Sequence, residues 1–289
     1  MAAHRYVIAD VFTDTPLEGN GLAVFTQSAG LDERTMARLA REMNLSETVF
    51  ALPPRQGGDA WIRIFTPGAE LPFAGHPVLG SAFVLAGERE VVRLETGLGI
   101  VAVTLERAGG AVVFGRMEQP IPTIERFELE GPLLAALGVA RSELPVEAYV
   151  NGPYNVFVGL PDEAAVAALA PNHQAIAALG RLNVSCFAGR GRSWKTRMFA
   201  PAIGVAEDPA TGSAAGPLAL HLARHGAIAY GQEIEISQGA EIGRPSRLYA
   251  RVEGSAEQIE RIEVGGAAVI VARGEFDLGR GAAASSSPR

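Results

Sequence analysis

The sequence predicts an α+β fold of two similar lobes, each with a sheet wrapped around a buried central helix. Short runs rich in β-branched residues, broken by glycines, recur along the chain. Two longer segments are apolar on almost every face, which is typical of helices buried on all sides. A local motif occurs once in each half, and such internal repetition indicates duplication.

The predicted strands follow one another with short breaks in both halves of the chain. Each is a run of four to twelve residues, or a shorter apolar run, ended by turn-forming residues. In the first half these runs are 5–12, 22–25, 48–52, 60–66, 89–95, 99–106 and 111–117. In the second half they are 154–159, 182–188, 197–199, 233–237, 247–253 and 260–271.

Helical spacing predicts helices at 32–43, 163–169 and 173–179, the first with Asp32 as its cap. The two apolar helices are 77–86 and 209–225, and a glycine follows each as a stop signal. Pro77 and Pro209 suit a first helical turn, because no hydrogen bond is lost there. We expect each of these two helices to form the centre of a lobe.

The repeated motif is His-Pro-x-x-Gly-Ser-Ala beginning at His76 and Asp-Pro-x-x-Gly-Ser-Ala beginning at Asp208, 132 residues later. Arg-x-Phe-x-Pro segments at 63–67 and 197–201 and Asn-Gly pairs at 20–21 and 151–152 keep the same order. His76 and Asp208 are therefore predicted to hold the same place at two helix starts. These starts either face one cleft, where free N–H groups favour a carboxylate, or belong to lobes with no shared site.

The predicted lobes are residues 1–120, completed by a C-terminal strand at 260–276, and residues 121–259. Residues 279–289 are small and polar and are predicted to be a disordered tail. The net charge of −7 argues against a nucleic-acid partner. The N-terminus lacks a signal-peptide core, and no uncharged apolar run is long enough for a membrane span, so we expect a cytoplasmic protein without membrane contact.

Four residues are candidates for the chemistry. Glu47 precedes an apolar strand, where burial raises a carboxyl pKa toward neutrality; the alternative is a solvated glutamate at a strand end. His76 has small apolar neighbours and is either a hydrogen-bonding group of the site or a core histidine. Asp208 either joins the site or only caps a helix. Ser213 offers a hydroxyl, while Gly212 offers either an approachable N–H or close helix packing.

Metal binding is the weakest of the possibilities. His221 and His225 are four residues apart on one predicted helix, which is a ligand spacing, but no acid or cysteine is evidently placed to complete a zinc site. The single cysteine, Cys186, excludes an internal disulfide and a multi-cysteine metal site. We therefore predict no metal.

Three segments carry a resemblance to a known family: Asn-Leu-Ser-Glu-Thr-Val-Phe from Asn44, Glu-Leu-Pro-Phe-Ala-Gly-His-Pro from Glu70 and Glu-Asp-Pro-Ala-Thr-Gly-Ser-Ala-Ala-Gly from Glu207. The chain resembles the PhzF family of phenazine biosynthesis from about residue 4 to residue 275. The resemblance implies the diaminopimelate-epimerase-like fold, with a curled, mainly antiparallel sheet in each lobe. It also implies a homodimer, a small-molecule substrate and no cofactor.

For this family the implied reaction is isomerisation of trans-2,3-dihydro-3-hydroxyanthranilate by proton transfer from C3 to C1. The resemblance gives Glu47 the acid–base role, has His76 and Asp208 orient polar substituents and stabilise charge, and has Ser213 supply a hydroxyl. The further residues that it implies as substrate contacts are Asn20, Ser46, Gly75 and Gly212.

Related epimerases use two cysteines at the starts of the central helices, and this chain has Ala74 and Thr211 at the matching places. Two-thiol racemisation is therefore excluded. Two other functions stay open. One is an isomerase or epimerase of the same fold acting on another small amino or hydroxy acid, and the other is a non-catalytic protein that binds a small molecule.

Overall fold

The computed structural model describes residues 3–278, so the tail predicted at 279–289 lies outside the described residues. The first half contains β1 (Ala3–Val11), β2 (Asn20–Phe25), α1 (Glu33–Met43), β3 (Glu47–Leu52), β4 (Ala60–Phe65), β5 (Glu70–Leu71), α2 (Gly75–Leu85), β6 (Val91–Thr96), β7 (Gly99–Ala108), β8 (Ala111–Gln119) and β9 (Thr123–Arg126). The second half contains α3 (Glu130–Leu137), β10 (Glu147–Val150), β11 (Tyr154–Gly159), α4 (Glu163–Ala167), α5 (His173–Ala178), β12 (Asn183–Arg190), β13 (Ser193–Ala200), β14 (Val205–Asp208), α6 (Gly212–Arg224), β15 (Ile234–Gln238), β16 (Ser246–Gly254), β17 (Ile259–Gly266) and β18 (Ala268–Asp277).

The two halves have the same strand pairing. In the first half β1–β2 is antiparallel, β2–β3 parallel, β3–β4 antiparallel and β4–β6 parallel. The pairs β10–β11, β11–β12, β12–β13 and β13–β15 repeat these directions in the same order. The predicted α+β fold with two pseudo-symmetric lobes is confirmed, and the other strand pairs within residues 3–278 are all antiparallel.

The lobes are joined by shared strands. β8 pairs with β17, which links the two sheets edge to edge. β9 follows β8 in the chain but pairs with β10, and β18 follows β17 but pairs with β1. The last strand of each half therefore pairs with the first strand of the other half. The assignment of residues 1–120 and 121–259 to separate lobes stays a prediction.

The two central helices are buried, as their composition predicted. Every residue of α2 from Gly75 to Phe83 is buried, and so is every residue of α6 from Gly212 to Ala223. α2 packs against β1, β2 and β6–β8, and α6 packs against β11, β16 and β17. Within residues 3–278, no helix is long and apolar enough to cross a membrane.

The predicted equivalence of His76 and Asp208 is wrong. α2 begins at Gly75 and α6 at Gly212, so the helix starts are 137 residues apart and not 132. His76 is the second residue of its helix, whereas Asp208 ends β14, four residues before α6. The two prolines misled the alignment, because Pro77 lies in a first helical turn and Pro209 in the linker that precedes a helix. The structural counterpart of His76 is Ser213.

The arginine segments do mark equivalent places. Arg63 of β4 lies 5.1 Å over the ring of the phenylalanine two residues later, and Arg197 of β13 has the same distance to its own. Each guanidinium also pairs with a glutamate of the following short strand, Glu70 of β5 or Glu207 of β14. Duplication therefore extends to the side-chain contacts that hold each strand pair.

Several elements differ from the predicted ones. The strand predicted at 260–271 is two strands, β17 and β18, and five of the labelled elements were not predicted, namely β5, β9, α3, β10 and β14. β9 is exposed at all four positions, so it has no apolar pattern that a sequence could display. β10 and β14 have four residues each, which is too short for a periodic signal.

Candidate active site

The starts of α2 and α6 touch each other in the middle of the molecule. A Cβ atom on Gly75 would lie 2.6 Å from the backbone nitrogen of Ser213, and one on Gly212 would lie 3.1 Å from the backbone nitrogen of His76. Glycine is required here because any side chain would push the helices apart. Neither helix start has a side-chain cap, so two sets of helix-start N–H dipoles point at one region and favour an anion.

A cleft of about 280 Å³ lies over this junction. The prediction that both helix starts face one cleft is therefore confirmed, and the alternative of two lobes without a shared site is wrong. Seven of the eight predicted site residues line the cleft: Ser46, Glu47, Gly75, His76, Asp208, Gly212 and Ser213. The tight packing considered for Gly212 also holds, because the same residue lines the cleft and contacts the other helix.

Asn20 lies behind this lining. Its Nδ2 donates to Asp208 Oδ1 at 2.9 Å and to the carbonyl oxygen of Ala210 at 3.0 Å. The same nitrogen lies 3.4 Å from His76 Nδ1. Asn20 begins β2 in the first lobe, so it fixes the position of an acid from the second lobe. Its geometry fits a support for Asp208 better than a direct contact with a ligand.

Asp208 is held in place and does not cap a helix. Its Oδ2 accepts a hydrogen bond of 2.6 Å from the Thr211 hydroxyl, while the cap position of α6 is Thr211 itself. Burial raises the pKa of Asp208 to about 6, against the opposing effect of the hydrogen bonds from Thr211 and Asn20. Asp208 is therefore mostly ionised at neutral pH and is oriented by donors on both of its oxygens.

Glu47 and His76 face each other without a hydrogen bond. Glu47 Oε2 and His76 Nε2 are 3.4 Å apart, and both atoms are buried with no hydrogen-bond partner among the described residues. The Glu47 side chain is 16% exposed, so the alternative of a solvated strand-end glutamate is wrong. Unpaired buried polar atoms are costly and are retained mainly where a ligand or a reaction uses them.

The protonation states of this pair follow from their surroundings. Burial, and then the charge of Asp208, raises the pKa of Glu47 from 4.5 to about 8. Burial lowers the pKa of His76 to about 3, so its imidazole is neutral at physiological pH. The cleft thus contains a carboxyl group poised near neutrality beside a neutral imidazole and an ionised aspartate, which can exchange a proton with a bound molecule.

Several cleft residues were not predicted from the sequence. Arg181, Asn183 and Tyr154 line the wall contributed by the second lobe. Gln238 of β15 supports the site from behind, because its Nε2 donates to the backbone oxygen of Asp208 at 2.7 Å. A signal for Asn183 was present, since it is a polar residue followed by a mostly apolar run, as Glu47 is.

An acidic residue does lie beside His221 and His225, so the expectation that none is placed there is wrong. The structure places Glu147 of β10 beside them, 2.9 Å from His225 Nε2 and 3.5 Å from His221 Nδ1. The same carboxylate oxygen also accepts from Arg224 at 2.7 Å and from the Tyr149 hydroxyl at 2.9 Å. The Arg224 guanidinium already neutralises this carboxylate, so the cluster fits a structural lock, that is, a set of contacts that holds α6 against β10. The absence of a metal stays a prediction.

A duplicated α+β fold with a buried carboxyl group beside two converging helix starts is the architecture of epimerase-like proteins. The family model described as phenazine biosynthesis-like protein, PhzC-PhzF, matches residues 9–274. The chain belongs to this family. A protein of Pseudomonas aeruginosa named trans-2,3-dihydro-3-hydroxyanthranilate isomerase is 57% identical over 277 residues, which cover 95% of this chain and 100% of that protein.

Two solved structures have the same architecture. A phenazine biosynthesis protein of the PhzF family from Bacillus anthracis superposes with a TM-score of 0.84 at 24% identity, covering 96% of this chain and 100% of the other. A predicted epimerase from Pseudomonas aeruginosa gives a TM-score of 0.80 at 31% identity, covering 94% and 99%. The epimerase-like fold is thereby shown for the whole described chain.

Proposed function

We propose that the chain is an isomerase that converts trans-2,3-dihydro-3-hydroxyanthranilate by moving a proton from C3 to C1. The product then dimerises toward the phenazine ring. The observation that carries the proposal is the buried Glu47 carboxyl, unpaired and with a pKa raised to about 8. The relative from Pseudomonas aeruginosa named for this activity supports the choice of substrate.

The substrate carboxylate binds at the junction of α2 and α6. The N–H groups and dipoles of both helix starts favour negative charge there, and Gly75 and Gly212 let the ligand approach the backbone closely. The Ser213 hydroxyl, on the second residue of α6, adds a donor at the same place. This binding puts the ring beside Glu47.

Glu47 transfers the proton. In its ionised form it removes the proton from C3, the C3–H electron pair shifts into the ring π system, and the new carboxyl proton is then delivered to C1. The product is an enol at C3, which tautomerises to the ketone. One carboxyl group suffices for both transfers, and the balance of protons requires no cofactor.

His76 and Asp208 each assist the proton transfer. The neutral imidazole of His76 lies beside Glu47 and serves as a hydrogen-bond partner for the reacting edge of the ligand, which is the side of the ring that faces Glu47. Asp208, held by Asn20 and Thr211, keeps a negative charge near Glu47 and so raises the pKa of that carboxyl group. Ser46 lines the cleft next to Glu47 and completes this edge.

The test is to incubate the purified protein with trans-2,3-dihydro-3-hydroxyanthranilate in D₂O and follow absorbance and proton NMR. We expect consumption of the substrate and loss of the C3 proton signal. A folded protein that binds the compound without converting it would contradict the proposal and favour a binding protein. Turnover of another small amino or hydroxy acid alone would favour a different isomerase of this fold.

We also propose that the protein acts as a cytoplasmic homodimer, as the family resemblance implies. The chain mass of 30.3 kDa makes this simple to test by light scattering of the purified protein. A particle of about 60 kDa is expected, and a monomer at micromolar concentration would contradict the proposal.

A further inference from the structure

Three buried asparagines connect the start of α6 to the wall of the cleft that the second lobe contributes. Asn151 Nδ2 donates to the backbone oxygen of Ser213 at 2.9 Å. Asn155 Nδ2 donates to Asn151 Oδ1 at 3.1 Å, and Asn183 Nδ2 donates to Asn155 Oδ1 at 3.2 Å. These residues are 4%, 0% and 9% exposed, so the chain of amides is shielded from water until it reaches the cleft.

The direction of this amide chain is fixed by its inner end. A carbonyl oxygen can only accept, so the group of Asn151 that meets Ser213 must be its nitrogen. The Asn151 oxygen then faces Asn155 and requires a nitrogen there, and the same reasoning sets Asn183. Asn155 Nδ2 also lies 3.4 Å from the backbone oxygen of Tyr149, a second obligatory acceptor that agrees with this orientation.

The outer end is therefore an oxygen. Because Asn183 uses its nitrogen on Asn155, its Oδ1 remains as the polar atom for the cleft that Asn183 lines, and no side chain or backbone group of residues 3–278 donates to it. A preorganised amide oxygen of this kind selects an N–H or O–H donor and cannot rotate to offer its NH₂ group instead.

We infer that Asn183 is a substrate-binding residue whose Oδ1 accepts a hydrogen bond from the amino group of the ligand, with Asn155 and Asn151 as positioning residues. The inference rests on the proposed function for the ligand class, a six-membered ring bearing carboxylate, amino and hydroxyl groups on neighbouring carbons. The carboxylate binds at the helix starts, and the hydroxyl is on C3, the carbon that loses its proton to Glu47. The amino group, which offers N–H donors in either protonation state, is left for the wall that Asn183 lines.

The test measures selectivity for the amino group by calorimetry with two unreactive aromatic probes. These are 3-hydroxyanthranilate and 3-hydroxybenzoate, which differ only in that amino group. We expect wild type to bind 3-hydroxyanthranilate at least tenfold more tightly, and Asn183→Ala to reduce that ratio by about tenfold, which is the size of one hydrogen bond. Asn172→Ala, a remote asparagine that caps α5, is the matched control and should keep the wild-type ratio.

Two results would overturn the inference. One is a wild-type protein with no preference between the probes, which needs no variant and so does not depend on folding. The other is an Asn183→Ala protein with a wild-type melting temperature and an unchanged ratio. Failure of the proposed function is distinguishable, because turnover of the dihydro substrate is measured separately. If Asn183→Ala loses the selectivity that wild type shows, and wild type does not convert the dihydro substrate, then Asn183 remains a binding residue and the isomerase is rejected.

Discussion

Glu47 and Asn183 occupy the same place in the two lobes, and their surroundings make them different. Each is the first residue of a strand in a parallel pair, β2–β3 for Glu47 and β11–β12 for Asn183. In register with Glu47 on the neighbouring strand is Leu22, whereas Asn155 is in register with Asn183. One position is therefore apolar and leaves a carboxyl group unpaired, and the other is polar and orients an amide.

The difference shows how a duplicated scaffold supports two separate tasks. Because no group of the described residues donates a hydrogen bond to its buried oxygen, the carboxyl of Glu47 keeps its proton to about pH 8, which suits a proton carrier. With hydrogen bonds running back to the start of α6, Asn183 cannot change its orientation, which suits a fixed binding group. The helix starts between the two positions hold the ligand for both.

The largest effect is expected for Glu47→Gln, which removes the proton carrier and keeps the shape of the side chain. General acid–base catalysis contributes about 10²- to 10⁴-fold, so kcat should fall by at least 100-fold while the probe 3-hydroxyanthranilate still binds. Steady-state kinetics with the dihydro substrate measures this effect. Glu42→Gln, at an exposed position of α1, is the matched control and should leave kcat unchanged.

Near-wild-type turnover by a folded Glu47→Gln protein would show that the proton travels by another route. The two lobes would still differ in hydrogen bonding, but this difference would no longer explain which residue carries the proton.

A smaller effect is expected for Asp208→Asn. We expect kcat/KM to fall by about tenfold, the scale of one charge-assisted hydrogen bond. In wild type, kcat/KM should rise with pH as Glu47 loses its proton, with a midpoint near 8. Because the negative charge of Asp208 raises the pKa of Glu47, its removal should shift that midpoint to lower pH. A pH profile of both proteins checks the shift. An unmoved midpoint would show that the charge of Asp208 does not affect the pKa of Glu47.

Stability should show the cost of keeping Glu47 unpaired. The folded-state pKa of about 8 exceeds the ordinary value of 4.5, so the folded protein holds a proton that the unfolded chain releases. Stability from this group is fully present below pH 4.5 and is lost as pH rises toward and through 8. Glu47→Gln should therefore match wild type near pH 4 and melt roughly 5 °C or more above it at pH 9. A constant difference in melting temperature across this range would argue against the raised pKa.

The smallest effect is expected from chelation. If Glu147, His221 and His225 form a structural lock without a metal, dialysis against EDTA should leave both turnover and melting temperature unchanged. Elemental analysis of the protein before dialysis provides the control. A melting temperature that falls on dialysis and recovers with Zn²⁺ would show a metal at this cluster.

Much of the architecture was predictable because it depends on local composition. The central helices α2 and α6 are apolar on all faces, and the longer strands carry β-branched residues, so burial and secondary structure followed from sequence. The exposed β9 and the short β10 and β14 have no such pattern. The pairing of β9 with β10 and of β18 with β1 depends on contacts between distant segments, which periodicity does not record.

The cleft was predictable in part for the same reason. Glu47, His76 and Asp208 are polar residues in apolar surroundings, and that contrast is visible in a sequence. The asparagine chain is not, because Asn183 meets Asn155 only when β11 and β12 pair. The repeated motif predicted the wrong register between the halves, because its proline lies in a helical turn in one half and in a linker in the other.

The central claim is that Glu47 is the proton carrier because no group of residues 3–278 donates a hydrogen bond to its buried carboxylate oxygen. The most direct test is to record ¹³C NMR spectra of protein labelled at glutamate side-chain carboxyl carbons over a range of pH. The Glu47 resonance is assigned by its loss in Glu47→Gln. We predict a titration midpoint of about 8 for this carboxyl group. A midpoint near the ordinary value of 4.5 would contradict the account.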